Sequence, residues 1–161
     1  MAKRKPLVLI PALHRATHSV SVYIERNSAL EVTQAEAHIL SHLWVEGEST
    51  VAQLHRAFGH RRSTLTSILD RLADRRLIRR EVSESDRRTF VVGLTATGRK
   101  FAHESYTVLS ELEAELSGLL TRPDMQGFLA TTDAISSYGR PVPESAGAEP
   151  LPRRPGDRSR K

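Results

Sequence analysis

RRSTLTSILDRLADR, residues 61–75, runs directly into RLIRREV, residues 76–82, and this junction decides the fold. On a helical wheel Leu65, Ile68, Leu69 and Leu72 share one face. Ser63, Thr66, Ser67 and Asp70 share the opposite face, with Thr64 and Arg71 on its flank. The helical period stops at Arg76. Residues 77–82 and 89–94 are β-branched, partly alternating runs, and the polar stretch 83–88 between them has turn chemistry. A β-hairpin is therefore predicted to follow the helix.

Upstream, Thr33-Gln-Ala-Glu36 has the form of a capping box, in which the threonine hydroxyl accepts from the third helical amide while the glutamate reaches back. Ala37, Leu40, Leu43 and Trp44 form an apolar stripe behind it, which predicts a helix to about Glu46, stopped by Gly47. Ser49 or Thr50 caps a short helix with Val51, Leu54 and Phe58 facing inward, ended by Gly59. A first helix is predicted from about Leu7 to Asn27, with Leu9, Leu13, Ala16, Val20 and Tyr23 or Ile24 at three- and four-residue steps. Downstream, Thr95 or Thr97 caps a long helix to about Leu120, with Val108, Leu112, Leu116 and Leu119 at heptad-like spacing. Pro123 starts a last helix with Met125, Phe128, Leu129, Ala134 or Ile135, and Tyr138 on its apolar side. The first six residues are basic and expected to be mobile. Residues 139–161 are rich in Pro, Gly, Ser and Arg, and bury too little apolar surface to offset the entropy of ordering, so a disordered tail is expected.

At 161 residues the chain suits one domain with a real core. Aromatic residues are only 5% of it, so aliphatic side chains build that core and a mostly helical fold is favoured. The absence of cysteine excludes disulfides, thiolate metal sites and a cysteine nucleophile. Pro11, His14 and Arg15 interrupt the apolar residues 7–10 too early for a signal peptide, and no stretch approaches a membrane span. A soluble, cytoplasmic protein is expected. Residues 61–100 hold 11 Lys/Arg against 5 Asp/Glu, whereas residues 101–120 hold no Lys or Arg and four glutamates. A localised basic patch of this kind is the electrostatic footprint of a phosphate-backbone binder.

The order of elements, three helices with a polar-fronted third and then a basic hairpin, is that of a winged helix-turn-helix. The expected architecture is mostly α with a small β-hairpin wing, flanked by a helical dimerisation region. A helix fits the major groove of double-stranded DNA, and short hydroxyls let it approach base edges. Ser63, Thr64, Thr66 and Ser67 supply them beside Arg61 and Arg62, and Arg71 reaches either a guanine edge or a phosphate. At the hairpin tip, Asp86 can orient Arg88 for the narrow minor groove, while Arg79, Arg80 and Arg87 serve flanking phosphates. Each feature alone reads as ordinary capping or surface pairing; their joint occurrence in this order points to DNA.

Residues 54–98 resemble the MarR family of winged-helix regulators. Asp86-x-Arg88-x-x-x-Val92-x-Leu94-Thr95-x-x-Gly98 is similar to that family's wing, residues 62–72 to its recognition helix, and Thr33-Gln-Ala-Glu-Ala37 to the start of its second helix. The resemblance implies a homodimer joined by the first and last two helices, a pseudo-palindromic operator, usually repression, and often release by a small, commonly phenolic effector. On this basis residues 1–32 and 99–138 would form the dimerisation region and residues 33–98 the DNA-binding domain. The chain departs from the family pattern at Arg61 (the helix cap), His60, Ser67 and Arg76. Arg76 stands where the family often has glycine, which requires a left-handed backbone at a bulky residue.

The effector region implied by the resemblance would include His14, His18, His38, Trp44 or His103, although structural or solvated histidines are the more ordinary reading of each. His14/His18 and His38/His42 have the i, i+4 spacing of a zinc pair, but no third ligand accompanies them, so neither a metal nor a cofactor is expected. No phosphate loop, GxSxG or HExxH motif occurs, so an enzyme is not expected. The alternative is a winged-helix module that binds a protein partner through the same basic surface.

Overall fold

Local hydrogen bonding explains where most of the elements begin. The computed structural model describes residues 7–28, 31–82 and 89–138. The expected mobile N-terminus, the hairpin tip with Asp86, Arg87 and Arg88, and the expected disordered tail lie outside the described residues. Among the described residues, six helices and three short strands follow in the order α1 (Leu9–Asn27), α2 (Gln34–Glu46), β1 (Ser49–Thr50), α3 (Val51–Phe58), α4 (Arg62–Asp74), β2 (Ile78–Val82), β3 (Phe90–Leu94), α5 (Ala96–Leu119) and α6 (Arg122–Tyr138). At the start of α2 both halves of the capping box are made: the Glu36 amide donates to Thr33 Oγ1 at 3.3 Å and the Thr33 amide donates to Glu36 Oε2 at 2.8 Å. Thr50 and Gln53 repeat the device at α3, with 3.1 and 2.7 Å bonds. Of the two candidate caps for α5, Thr95 is the one used, accepting from the Gly98 amide at 2.9 Å. Thr121 and Asp124 open α6 one residue before Pro123, so Arg122 is its first residue.

The sheet is antiparallel in the order β1-β3-β2. Ile78 pairs with Leu94 and Val82 with Phe90, which is the expected hairpin. Residues 49 and 50 add a third strand on the other edge of β3, opposite Val92 and Val91. A two-residue strand has no alternation to read, so only its partner reveals it.

α2 occupies the middle of the fold, packed against α5 on one side and against α4 and β3 on another. Ala37, Leu40 and Leu43 are buried as the apolar stripe requires, but so is Ile39, while Trp44 is 39% exposed. A helix with two packed sides has no single stripe, and Trp44 falls between them. α4 behaves as its wheel predicts: Leu65, Ile68, Leu69 and Leu72 are all at most 3% exposed. Along α5, Val108 is buried and Leu112 half-buried, whereas Leu116 and Leu119 lie open. No helix among the described residues is long and apolar enough to cross a membrane.

The turn from α4 into β2 is a Schellman motif. The Arg76 amide donates to the Ala73 carbonyl at 2.8 Å and the Leu77 amide to the Leu72 carbonyl at 2.9 Å. Arg76 has φ 56°, the left-handed conformation expected from its position. Leu72 and Leu77, both buried, form the apolar contact that accompanies such turns. The Leu77 carbonyl then accepts from the Thr95 amide at 3.1 Å and the Thr95 hydroxyl at 3.2 Å. α5 passes so close that a Cβ on Gly98 would lie 1.7 Å from the Leu77 oxygen.

Two substitutions test this joint by thermal unfolding. Gly98→Ala should destabilise the protein by about 3 kcal/mol or more, because backbone and not a flexible side chain must yield. Arg76→Gly should stabilise by about 0.5–1 kcal/mol, the relief of the left-handed conformation exceeding the added freedom of the unfolded chain.

Candidate nucleic-acid interface

The buried back of α4 dictates what its front presents. With Leu65, Ile68, Leu69 and Leu72 packed inward, Arg62, Ser63, Thr64, Thr66 and Ser67 are all exposed. The hydroxyls differ in what they can still do. Ser67 Oγ donates to the Ser63 carbonyl at 3.1 Å, so its hydrogen is committed and only its lone pairs face outward. Arg61, the N-cap, makes no side-chain capping bond. The first-turn amides of α4 therefore lack the side-chain acceptor that opens α2, α3 and α5, and they sit beside two exposed guanidinium groups.

Arg71, Arg75, Arg79 and Arg80 are engaged within the protein. Arg71 Nε donates to Glu36 Oε1 at 3.0 Å, and Arg75 Nη1 lies 3.7 Å from Glu36 Oε2. The Arg75 guanidinium also sits over the Phe101 ring, 5.7 Å from its centroid. Arg79 is held by Glu48, by Glu81 at 2.8 Å and by the Leu94 carbonyl at 2.8 Å. Arg80 donates to Asp70 at 2.8 Å and, at 3.5 Å, to the Thr66 carbonyl, which ties β2 to α4. Arg61 and Arg62 form no ion pair among the described residues. The five described basic residues expected at the interface thus divide in two: Arg61 and Arg62 stand open, while Arg71, Arg79 and Arg80 brace the elements that present them. Arg71 keeps half its surface in solvent and retains N–H groups for a phosphate.

Glu36 is the buried acid at the centre of this bracing. Burial alone would raise its pKa, but the Thr33 amide, the Arg71 hydrogen bond and the Arg71 charge together hold it below the ordinary 4.5. Sequence reasoning recognised Glu36 as a cap and missed its arginines, which lie 35 and 39 residues away in the chain.

The five residues expected around an effector do not converge. His14 and His18 are exposed on α1. His38 is half-buried on α2, where burial and then the charge of His60 hold its imidazole below 6.5. Trp44 and His103 do meet, ring to ring at 5.3 Å and 80°. They line an open groove of about 620 Å³ together with Arg99, Lys100, Glu104 and Thr107. Arg99 and Lys100 belong to the basic patch, but no spacing in the chain connects them to Trp44. Among the described residues no cluster of His, Asp and Glu could hold a metal ion.

Residues 32–90 match the MarR family. Among solved structures, S. aureus MepR in its DNA-binding conformation is 20% identical, with 83% of this chain and 100% of that chain aligned and a TM-score of 0.71. A mutant MarR from E. coli, complexed with operator DNA, is 21% identical over 79% of this chain and 94% of that one, with a TM-score of 0.64. Bordetella bronchiseptica BpsR, in a structure addressing regulation of its DNA binding by 6-hydroxynicotinic acid, is 20% identical over 78% and 96%, with a TM-score of 0.62. No curated protein matches the chain. The fold is the winged helix of these structures.

Because the pKa of Glu36 is lowered on folding, its pairing contributes stability that is complete above pH 4.5 and is lost as pH falls through the lowered value. Unfolding free energies of the wild type and Glu36→Gln, compared between pH 3 and 7, should differ on the order of 1 kcal/mol at neutral pH and converge in acid.

Proposed function

We propose that this chain, a MarR-family winged-helix protein by its residues 32–90, is a sequence-specific DNA-binding transcription regulator. It acts as a homodimer on a pseudo-palindromic operator, as a repressor, in the cytoplasm. The observation that carries this reading is the exposed hydroxyl face of α4, with Arg61 and Arg62 at its open N-terminus, over a fully buried apolar back. Hydroxyls on a rigid helix suit base edges in the major groove, and the two open guanidinium groups suit the adjoining phosphates. The wing residues Asp86, Arg87 and Arg88 enter the proposal through the family resemblance alone.

Dimerisation is supported by apolar surface that the single chain leaves in water. Residues 7–10 at the start of α1, Leu116, Leu119 and Leu120 at the end of α5, and Phe128, Leu129 and Tyr138 on α6 are all exposed. An apolar groove of about 270 Å³ between α1 and α6, lined by Leu9, Leu13, Phe128 and Ile135 among others, continues the same region. A two-fold pairing through these helices would set two recognition helices about one DNA turn apart. Residues 33–98 are accordingly assigned to DNA reading, and residues 1–32 and 99–138 to pairing. A small aromatic or phenolic effector is placed in the Trp44–His103 groove, where the rings offer stacking and Arg99 and Lys100 offer positive charge.

Binding to duplexes selected by the protein from a random-sequence pool tests the reading. The logarithm of affinity should fall linearly with the logarithm of salt. Arg62→Ala and Arg88→Ala should each weaken binding with the dimer intact, and Thr66→Trp should abolish the preference for selected over scrambled duplex. Unchanged affinity in the double arginine variant at physiological salt refutes the docking. Sedimentation should show a dimer for the wild type, and monomer for the pair Leu119→Glu and Phe128→Glu, since two charges would enter an apolar contact.

A further inference from the structure

Two capping boxes in this chain form an internal comparison. At α3 the box is closed by a neutral amide, Gln53. At α2 it is closed by a carboxylate, Glu36, which is 3% exposed and is the one buried ionisable side chain among the described residues. Capping needs only an acceptor, and Gln53 shows that an amide oxygen suffices. Burying a carboxylate is costly unless cations compensate it. The negative charge of Glu36 therefore answers to something other than the cap, and the groups it meets are Arg71 and Arg75, in and just beyond the last turn of α4. Arg75 continues the contact to Phe101 on α5.

We propose that Glu36 is a positioning residue for DNA reading: its charge locks the rear of the recognition helix against α2 and α5 and so fixes the pitch at which Ser63–Ser67 meet the bases. This rests on the DNA-binding reading above. The lever is long enough to matter. Arg71 lies eight residues from Ser63, about 12 Å along a helix axis, so a tilt of about 5° at the rear displaces the reading end by about 1 Å. A hydrogen bond to a base edge does not survive a lengthening of that size. The same pairing also neutralises positive charge that Arg71 and Arg75 would otherwise direct at any phosphate. Loss of the Glu36 charge should thus act in opposite directions on the two kinds of binding. Specific affinity falls, while sequence-independent affinity stays level or rises and its salt dependence steepens.

The test uses full-length Glu36→Gln, which keeps an acceptor for the Thr33 amide and removes only the charge. Its affinity is measured for a duplex selected by the wild type from a random pool and for a scrambled duplex of the same composition. The expected result is a fall on the order of tenfold in the selected-to-scrambled ratio, with no loss of affinity for the scrambled duplex, at unchanged helicity and oligomeric state. A uniform loss on both duplexes, which destabilisation alone would cause, overturns the proposal, and so does an unchanged ratio. Arg75→Gln removes the longer of the two ion pairs of the same cluster, 3.7 Å against 3.0 Å, and should lower the ratio in the same direction by a smaller factor; if Glu36→Gln does not fold, an unchanged ratio in Arg75→Gln overturns the proposal. The wild-type arm separates the two levels of inference. A wild type that does not prefer its selected duplex refutes the DNA reading itself, whereas a preference retained in both variants refutes only the role of Glu36.

Discussion

The carbonyl of Leu77 is the point at which the helix expected to read DNA, the wing and the long helix α5 are tied together. It accepts from both the amide and the hydroxyl of Thr95, lies against the Cα of Gly98, and belongs to a residue whose own amide closes the Schellman turn onto Leu72. Three directions of chain are thereby set by one peptide group: the exit from α4, the start of β2 and the start of α5. Without this joint, the buried back of α4 would still pin the helix in the core, but the wing would have no fixed bearing on it. Arg76 in the left-handed region is the conformational cost of making so tight a corner with a bulky residue, and Arg80, bonded to Asp70, braces the corner from the solvent side.

α2 has a comparable role one layer deeper. It is packed on α5, touches α1, and backs both α4 and β3, so it lies between the first helix and α4. That position explains why its burial pattern is broader than one stripe, and why its N-terminus carries a charged capping residue where α3 carries a neutral one. Ser21 on α1 donates to Gln34 on α2 at 2.6 Å, two residues before Glu36 reaches Arg71. The head of α2 is thus held by polar contacts on two sides, to α1 through Gln34 and to α4 through Glu36.

Much of this was legible in the sequence because the relevant signals are local. The Thr33 and Thr50 caps, the two-faced wheel of α4, the hairpin strands and the left-handed Arg76 each depend on residues within a few positions of one another, and each lies where the pattern put it. Strand β1 was not legible, since two residues carry no period and its existence depends on hydrogen bonds to residues more than forty positions away. Trp44 was misread as core because a wheel cannot show that two other faces of α2 are already occupied. The groove between Trp44 and His103 was half visible: both residues were candidates, but nothing in the spacing distinguished them from His14, His18 and His38, which lie elsewhere.

The arginines show most clearly what a sequence count conceals. Eleven basic residues against five acidic ones over residues 61–100 describe a patch on paper. In the folded chain Arg71, Arg75, Arg79 and Arg80 each face an acid, and two of the acids, Glu36 and Glu48, lie outside the counted window. Such pairs contribute little to long-range attraction, because each guanidinium is seen from outside together with its carboxylate. The charge that remains unpaired among the described residues of α4 and its cap is concentrated at Arg61 and Arg62, next to the hydroxyls. Composition thus points to a phosphate-bearing partner for a reason that is only partly right. The basic segment owes its residues as much to holding a helix at a fixed angle as to attracting phosphate, and the attraction that is left is focused at the end of the helix where reading would take place.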